Sequence, residues 1–295
     1  MRWGIWHPRN TMRTTLHYRY NSLEDFLISN PLEVDGILSD GWGAYFPVKG
    51  REMEAAILFI DISGFSHRTL DLTSTETLIF VNNFFAWVTA EGLRHLPGVV
   101  DKYIGDEMMV VFSREFGSAD PFEDAIKCAC AMTEHDSLSY GPHIGVAAGL
   151  VTVGYVGTPL RYNCSVFGKP VTLAARCASV RSVEGRSCVI FPAENWGTRT
   201  LEDTVPARRI RMPDGGVREE KRPWVLQAPR MEKVKHMPDL EVRELTYELY
   251  HMPGMTAEER AQQSMESIRQ GEVGHYTPRP FNFERNPIPE KETNK

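Results

Sequence analysis

Several features that would assign this sequence to a particular class of protein are absent or scarce. No uninterrupted apolar run approaches about 18 residues, so we expect no transmembrane helix in the 295-residue chain. The first residues, MRWGIWHPRNTMRTT, are positively charged but contain no apolar segment, so we expect no secretory signal. The net charge is -6, which argues against a nucleic-acid partner but leaves a nucleotide substrate open.

Cysteine is also scarce, and its spacing is that of ordinary thiols. The sequence has no CxxC pair and no His-containing metal spacing, and the count of five is odd. We therefore expect reduced, mostly buried thiols in a cytoplasmic protein. No GxGxxG motif follows an apolar strand-like run, which argues against an oxidoreductase with a dinucleotide cofactor. The five cysteines are Cys128, Cys130, Cys164, Cys177 and Cys188.

Apolar runs and turn residues predict alternating strands and helices. Residues 55–62, AAILFIDI, form a continuous apolar run that is typical of a buried strand. The runs on either side of Gly105-Asp106 are typical of a β-hairpin with these two residues at its turn. Such alternation indicates an α+β protein, an α/β sandwich. We also predict a short helix at 23–28 capped by Ser22 or Asn21, a turn at 40–45, helices at 74–94, 120–136 and 171–178, and strands within 143–155, 161–168 and 188–191.

Two carboxylates stand at strand ends, where they would be partly removed from water. Asp61 ends the apolar run, and Asp106 lies at the tip of the hairpin. A desolvated carboxylate is costly, or has a raised pKa, unless a cation compensates it. Two such groups on neighbouring strand ends make a hard oxygen site suited to Mg²⁺ or Mn²⁺ together with substrate phosphates.

Two further features would suit a phosphate group. The loop from Ile62 to Ser66, which includes Phe65, leads into a helix, and its backbone N–H groups can cradle phosphates. Arg176 follows small residues on a second predicted helix, and its guanidinium can donate two hydrogen bonds to a phosphoryl group. Either feature alone is also common in ordinary turns and at helix ends.

Four stretches occur in one order along the chain: FIDISGF, DKYIGDEMMVVF, GVAAGLVTVGYVG and FGKPVTLAAR. Together they resemble the catalytic domain of class III adenylyl/guanylyl cyclases. The resemblance implies a twisted, antiparallel-rich sheet flanked by helices, working as a homodimer with active sites at the interface. It also divides the chain into an N-terminal segment (1–53), the nucleotide cyclase catalytic domain (54–195), the end of that domain (196–230), and a C-terminal extension and tail (231–295).

The same resemblance implies a cofactor and a reaction. Two divalent metal ions, Mn²⁺ or Mg²⁺, would be held by Asp61 and Asp106, with the Ile62 carbonyl nearby. The partner protomer would supply base-reading groups and Arg176, which stabilises the transition state. The ribose 3′-hydroxyl would attack the α-phosphate of a nucleoside triphosphate, and pyrophosphate would leave.

The base-reading positions depart from the usual pattern of the family. Lys102 occupies a position that is Lys in adenylyl cyclases and Glu in guanylyl cyclases, which argues against GTP. Its usual partner is Asp or Thr, whereas Ser165 stands here and can both donate and accept. The ribose-orienting Asn of the family is replaced by Thr172. For the triphosphate-binding Lys of the family, the candidates Lys221, Arg211 and Arg209 stay open.

A narrower resemblance concerns the base and the biological role. The segment RYNCSVFGKPV, the short N-terminal piece and the C-terminal extension are similar to the bacterial pyrimidine cyclases of Pycsar antiphage systems. This implies UTP as substrate, with CTP next, and a cyclic nucleotide that activates a separate effector protein in antiviral defence. Because Lys102 could donate to an acceptor of uracil or adenine, an adenylyl cyclase that uses ATP remains the alternative.

Two other kinds of protein share part of the pattern. A catalytically silent cyclase-like module would bind nucleotide and regulate a partner; Asp61, Asp106 and Arg176 argue against it, and Thr172 argues mildly for it. Palm-type diguanylate cyclases and polymerases also have Asp-tipped hairpins, but Lys102 and the Ala-Ala-Arg176 element are not expected there.

Overall fold

A mixed and mostly antiparallel β-sheet organises the chain in a computed structural model. Its main path runs β10 (Arg230–Glu232), β11 (Leu240–Tyr247), β6 (Cys188–Pro192), β4 (His143–Thr158), β1 (Gly50–Asp61), β3 (Glu107–Ser113) and β2 (Gly98–Ile104), with β5 (Arg161–Phe167) paired to β4 and β9 (Trp224–Leu226) paired to β11. Every pairing in it is antiparallel except that of β4 with β6, which confirms the predicted antiparallel-rich sheet with flanking helices. The structure describes residues 19–20, 22–30, 50–94, 96–134, 136, 140–158, 161–182, 188–212, 215–234, 237–247 and 255–270.

The strands of the described chain are β1 (Gly50–Asp61), β2 (Gly98–Ile104), β3 (Glu107–Ser113), β4 (His143–Thr158), β5 (Arg161–Phe167), β6 (Cys188–Pro192), β7 (Arg208–Arg211), β8 (Val217–Glu220), β9 (Trp224–Leu226), β10 (Arg230–Glu232) and β11 (Leu240–Tyr247). The helices are α1 (Leu23–Ser29), α2 (Phe65–Arg68), α3 (Ser74–Trp87), α4 (Pro121–Glu134), α5 (Lys169–Ser179), α6 (Ala193–Trp196), α7 (Leu201–Thr204) and α8 (Ala257–Arg269). A π-helical turn, Val88–Gly92, extends α3.

Strand β1 lies between two hydrophobic layers, as its uninterrupted apolar run predicts. Successive side chains of a strand point to opposite faces. Ala56, Leu58 and Ile60 therefore join the cluster beneath α3 and α4. Ala55, Ile57 and Phe59 join the cluster beneath α1 and α5. Antiparallel neighbours β3 and β4 cover the two edges of β1, so its polar end at Asp61 is held by strands on both sides.

Most sequence-predicted elements are confirmed with shifted ends. The strand expected at 55–62 begins at Gly50, and Ser22 caps α1 through a hydrogen bond from Asp25 N. The region from His143 is one strand, and α5 packs directly on it at Gly145, where an added Cβ would stand 2.0 Å from the Ala174 carbonyl oxygen. The turn predicted at 40–45 lies outside the described residues.

The C-terminal part of the chain contributes to the same sheet. Strand β11 pairs with β6, and β10 pairs with β11. The polar stretch ERAQQSMESIRQ predicts an exposed helix. Helix α8 forms there, but the expected exposure is wrong for one of its faces. Ala261 and Met265 are buried because their four-residue spacing puts them on the same face, and Met265 joins the core cluster that contains Phe80 and Phe84. No helix among the described residues is long and apolar enough to cross a membrane.

Candidate active site

The two predicted carboxylates lie together where neighbouring strands of the sheet end. Asp61 is the last residue of β1, and Asp106 lies with Gly105 in the tight turn between β2 and β3. Gly105 has a φ of 64°, a left-handed conformation that glycine adopts without strain. Ile60 pairs with Met108, so the turn stands beside the end of β1 and the Asp61 and Asp106 carboxyl groups share a hydrogen bond.

The electrostatics of this pair fit a divalent cation. Burial, the hydrogen bond and charge of Asp106, and the charge of Glu107 raise the pKa of Asp61 to about 8. Carboxylate oxygens are the ligands that Mg²⁺ and Mn²⁺ prefer, and a cation between two carboxylates relieves their repulsion. No cluster of three or more His, Cys, Asp or Glu side chains that could hold a metal occurs in the described residues, so the donors here are two carboxylates and any nearby backbone oxygen.

The loop after Asp61 is a tight turn. Gly64 takes a φ of 64°, and Phe65 N donates to the Ile62 carbonyl at 3.2 Å. The Phe65 N–H is therefore already engaged, which leaves fewer free donors for a phosphate than the sequence suggests. The Ile62 carbonyl keeps a second lone pair. The side chain of Ile62 is buried in the core, so the backbone of this residue is held beside Asp61.

Arg176 and Thr172 share one face of α5. They are four residues apart, and the opposite face of the helix, with Leu173, Ala174 and Cys177, is buried. Thr172 is exposed and Arg176 is half-buried. Within the described part of the chain, the Arg176 guanidinium makes no hydrogen bond or ion pair, so this protomer does not bring it onto the Asp61–Asp106 pair.

Lys102 and Ser165, predicted from separate parts of the chain, are in direct contact. The Lys102 ammonium on β2 donates to the Ser165 hydroxyl on β5. The Ser165 hydroxyl is almost fully buried, whereas the Lys102 side chain is 38% exposed. A cavity of about 500 Å³ opens beside them, and Ser22 and Glu24 of α1 contribute to its lining together with Asn163 and Cys164.

Asp101 is a member of this group that sequence reasoning missed. Its Oδ2 lies 3.1 Å from Lys102 Nζ and accepts a hydrogen bond of 3.3 Å from Ser165 Oγ. Burial raises the pKa of Asp101, while the charge of Lys102 and the hydrogen bonds of Lys102 and Ser165 lower it in part. Nothing in the sequence pointed to this contact, because adjacent strand residues ordinarily face opposite sides of a sheet.

The candidates for the triphosphate-binding cation stay unranked. Arg209 and Arg211 lie on β7, and their side chains are outside the described part of the structure. Lys221 follows β8 and is exposed. Strands β7 and β8 form a two-stranded sheet apart from the main one.

Comparison with known proteins identifies the domain that this geometry forms. In solved structures, the chain is similar to the adenylyl cyclase CyaB from P. aeruginosa, with a TM-score of 0.51 and 18% identity over 70% of this chain and 99% of that one. It is likewise similar to the guanylate cyclase domain of RhGC from Catenaria anguillulae, with a TM-score of 0.50 and 17% identity over 67% of this chain and 98% of that one. At this level of identity the likeness shows the fold: that of class III cyclases.

The sequence comparisons name the family. The adenylate and guanylate cyclase catalytic domain matches residues 48–191. Two uncharacterized proteins of Mycobacterium tuberculosis, Rv1320c and Rv1319c, are each 32% identical over 141 residues, which are 46% of this chain and 25% and 26% of those proteins. The chain thus spans about a quarter of the length of these relatives. Residues 48–191, just under half of the chain, match the adenylate and guanylate cyclase catalytic domain in sequence, and the chain has the fold of the class III cyclases.

Proposed function

We propose that the protein is a nucleotide cyclase, a phosphorus–oxygen lyase that converts a nucleoside triphosphate to a 3′,5′-cyclic nucleotide and pyrophosphate. The observation that carries the proposal is the hydrogen-bonded pair of Asp61, at the end of β1, and Asp106, in the neighbouring turn between β2 and β3. Two neighbouring carboxyl groups, of which Asp61 has a raised pKa, are an unfavourable arrangement for stability alone, and a cation-dependent reaction explains why they are there.

The chemistry follows from charge. The ribose 3′-oxygen forms a bond to the α-phosphorus, its proton is lost, and the bond to the β-phosphate oxygen breaks, so negative charge develops on the phosphoryl and leaving oxygens. Mg²⁺ or Mn²⁺ at the site would supply compensating positive charge. Asp61 and Asp106 would hold these ions with the Ile62 carbonyl, and the Arg176 guanidinium would bond the phosphoryl oxygens as their charge rises.

The active form we propose is a homodimer with shared sites. Among the described residues, Arg176 on α5 makes no bond to the Asp61–Asp106 pair, and the resemblance to class III cyclases implies that a second copy supplies this arginine. A partner surface is available: Leu150, Val156 and Phe167 on β4 and β5 are 54%, 44% and 46% exposed, and Tyr103 and Ile104 near the turn are exposed too. Exposed large apolar side chains on two paired strands, such as those of β4 and β5, favour an interface.

For the base we propose a pyrimidine, UTP ahead of CTP. Lys102 supplies a donor that suits the carbonyl oxygens of uracil, and Ser165 stands where adenylyl cyclases have Asp or Thr. Similarity to the pyrimidine cyclases of Pycsar systems supports the same choice and suggests a role for cyclic UMP as a second messenger in antiphage defence, read by a separate effector. An adenylyl cyclase is the second candidate, because the same Lys102 donor suits a ring nitrogen of adenine.

The deciding experiment offers the purified protein each of ATP, GTP, CTP and UTP with Mn²⁺ and identifies products by mass. We expect pyrophosphate and cyclic UMP, with less cyclic CMP. Asp61→Ala should abolish product formation while thermal unfolding stays cooperative, and Asp71→Ala, which removes an exposed carboxylate, should leave it intact. A protein that binds triphosphate but releases no pyrophosphate would instead be a silent regulatory module.

A further inference from the structure

A β-bulge places Asp101 beside Lys102. Strands β2 and β3 pair Val100 with Val110 and then Lys102 with Met109, so Asp101 is an extra residue without its own partner on β3. In a regular strand two consecutive side chains point to opposite faces. A bulge sets two residues against one and re-aims a side chain, which explains how the Asp101 carboxylate comes within 3.1 Å of its own neighbour's ammonium.

The hydrogen bonds within this group engage most of the donors and acceptors of Ser165 and Lys102. A Ser hydroxyl has one proton, and Ser165 donates it to Asp101 Oδ2. The same hydroxyl accepts from Lys102 and keeps one further lone pair. The Lys102 ammonium has three protons, of which one faces Asp101 and one is donated to Ser165. Among the described residues, one ammonium proton and one hydroxyl lone pair are then not engaged by the protein.

We infer that Asp101 is a positioning residue that sets the donor and acceptor pattern of the base-reading pair, an inference that rests on the proposed function of this site. By holding the Ser165 proton, Asp101 makes this hydroxyl an acceptor toward the base. The pair then presents one donor, on Lys102, beside one acceptor, on Ser165. The ligand that it fits is a nucleobase that accepts from Lys102 and donates to Ser165 through neighbouring groups, as uracil can with O4 and N3–H.

The burial of Asp101 agrees with a positioning role. Its side chain is 1% exposed, although the neighbouring Lys102 side chain reaches solvent. A buried ion pair is weak evidence for stabilisation, because the desolvation penalty can exceed the Coulombic gain. A carboxylate can only accept, so either oxygen of Asp101 can hold the Ser165 proton, whereas an amide nitrogen in this place could not.

The test measures base selectivity in binding, separately from turnover. The four 3′-deoxynucleoside triphosphates lack the attacking hydroxyl, so their affinities can be measured by calorimetry on the full chain without reaction. In Asp101→Asn the amide can also donate, and the Ser165 hydroxyl is free to turn toward the base. We expect the affinity ratio between the preferred and the least preferred base to fall roughly ten- to a hundredfold, which is the range for one hydrogen bond to a charged group.

A double mutant separates positioning from a general loss of structure. Ser165→Ala should lower the same ratio, and adding Asp101→Asn to it should change the ratio no further, because Asp101 acts through that hydroxyl. Glu244→Gln is the matched control. Glu244 on β11 is also buried, and it also bonds one serine, Ser182, and one cation, Arg230. It should lower the melting temperature and leave the ratio unchanged.

The binding measurements can contradict the inference about Asp101 independently of whether the protein is a cyclase. An Asp101→Asn protein with the wild-type ratio, additive effects of the two substitutions, or a wild-type protein that binds all four bases alike would overturn the inference. Base-selective binding that is lost in Asp101→Asn would support it even if the wild-type protein made no cyclic product. That last result would count against the proposed function alone.

Discussion

The carboxyl group of Asp61 at the end of β1 shares a hydrogen bond with that of Asp106 in the turn between β2 and β3. The pair is brought together by the antiparallel register of β1 with β3. This arrangement predicts how the protein responds to metal and to charge removal.

Asp61→Asn should leave the metal-free protein as stable as the wild type or more stable, because a neutral amide replaces one of two facing carboxylates. It should also abolish the rise in melting temperature on adding Mn²⁺. A ligand at a hundred times its Kd stabilises by about 2.7 kcal/mol, so the wild-type shift is readily measured by thermal unfolding. Asp71→Asn should keep that shift, and a variant of Asp61 that still responds fully to Mn²⁺ would rule out the site.

A mixture of Asp106→Ala and Arg176→Ala chains should regain activity that neither has alone. Half of the randomly formed dimers are mixed, and each mixed dimer holds one complete site, so about a quarter of the wild-type activity is expected. The measurement is product formation after mixing equal amounts. Absence of recovery, with mixed dimers demonstrated by mass spectrometry, would count against sites shared between protomers.

Phe167→Glu should weaken the dimer. Phe167 is 46% exposed on β5 beside the exposed Leu150 and Val156 of β4, and a charge buried there without a partner is costly. We expect a shift toward monomer in analytical ultracentrifugation and an activity that recovers at higher protein concentration. Val217→Glu is the control, because Val217 is 63% exposed on the separate β7–β8 sheet and should change neither quantity.

Met265→Ala should lower the free energy of unfolding by about 2–5 kcal/mol, the usual cost of truncating a large buried side chain. Met265 on α8 is 1% exposed and belongs to the core cluster that contains Phe80 and Phe84. Chemical denaturation measures the change. Gln262→Ala, on the exposed side of α8, should stay within about 0.5 kcal/mol of the wild type, and equal effects of the two substitutions would mean that α8 does not dock.

Asp120→Asn should destabilise the protein at neutral pH by about 0.2–1 kcal/mol, because Asn caps a helix about as well as Asp but cannot form the ion pair with Arg199. Asp120 caps α4 by accepting from Glu123 N at 3.1 Å and bonds Arg199 Nη2 at 2.6 Å. Burial alone would raise the pKa of Asp120, but the bonds from Arg199 and from the helix N–H groups outweigh it, and the pKa lies below its ordinary 3.8. The stabilisation is therefore present above pH 3.8 and is lost as the pH falls through the lowered pKa.

Urea unfolding of the wild type and of Asp120→Asn from pH 7 to pH 2 tests whether this stabilisation is lost on acidification. The difference between wild type and Asp120→Asn should shrink below pH 3.8. A difference that grows on acidification would contradict it. The exposed Glu202→Gln should give a curve parallel to that of the wild type.

The sequence by itself determined the centre of the fold and the metal-binding carboxylates of the proposal. The run AAILFIDI is apolar on both faces of a strand, so it has to be buried between two layers, and the Gly105-Asp106 turn leaves few ways to connect the strands around it. These are local constraints, and they place Asp61 at the end of a buried strand and Asp106 at the tip of a hairpin; the pairing of β1 with β3 then brings the two residues together.

Only the tertiary structure decided what surrounds the base-reading lysine and where the C-terminal helix lies. The contact of Lys102 with Ser165 joins β2 and β5, which are 63 residues apart, and the bulge that brings in Asp101 is a property of strand pairing. The polar composition of helix α8 predicts an exposed helix. Its two apolar residues one turn apart, Ala261 and Met265, are nevertheless buried against the rest of the protein. Such contacts depend on which surfaces meet, which local patterns along the chain do not specify.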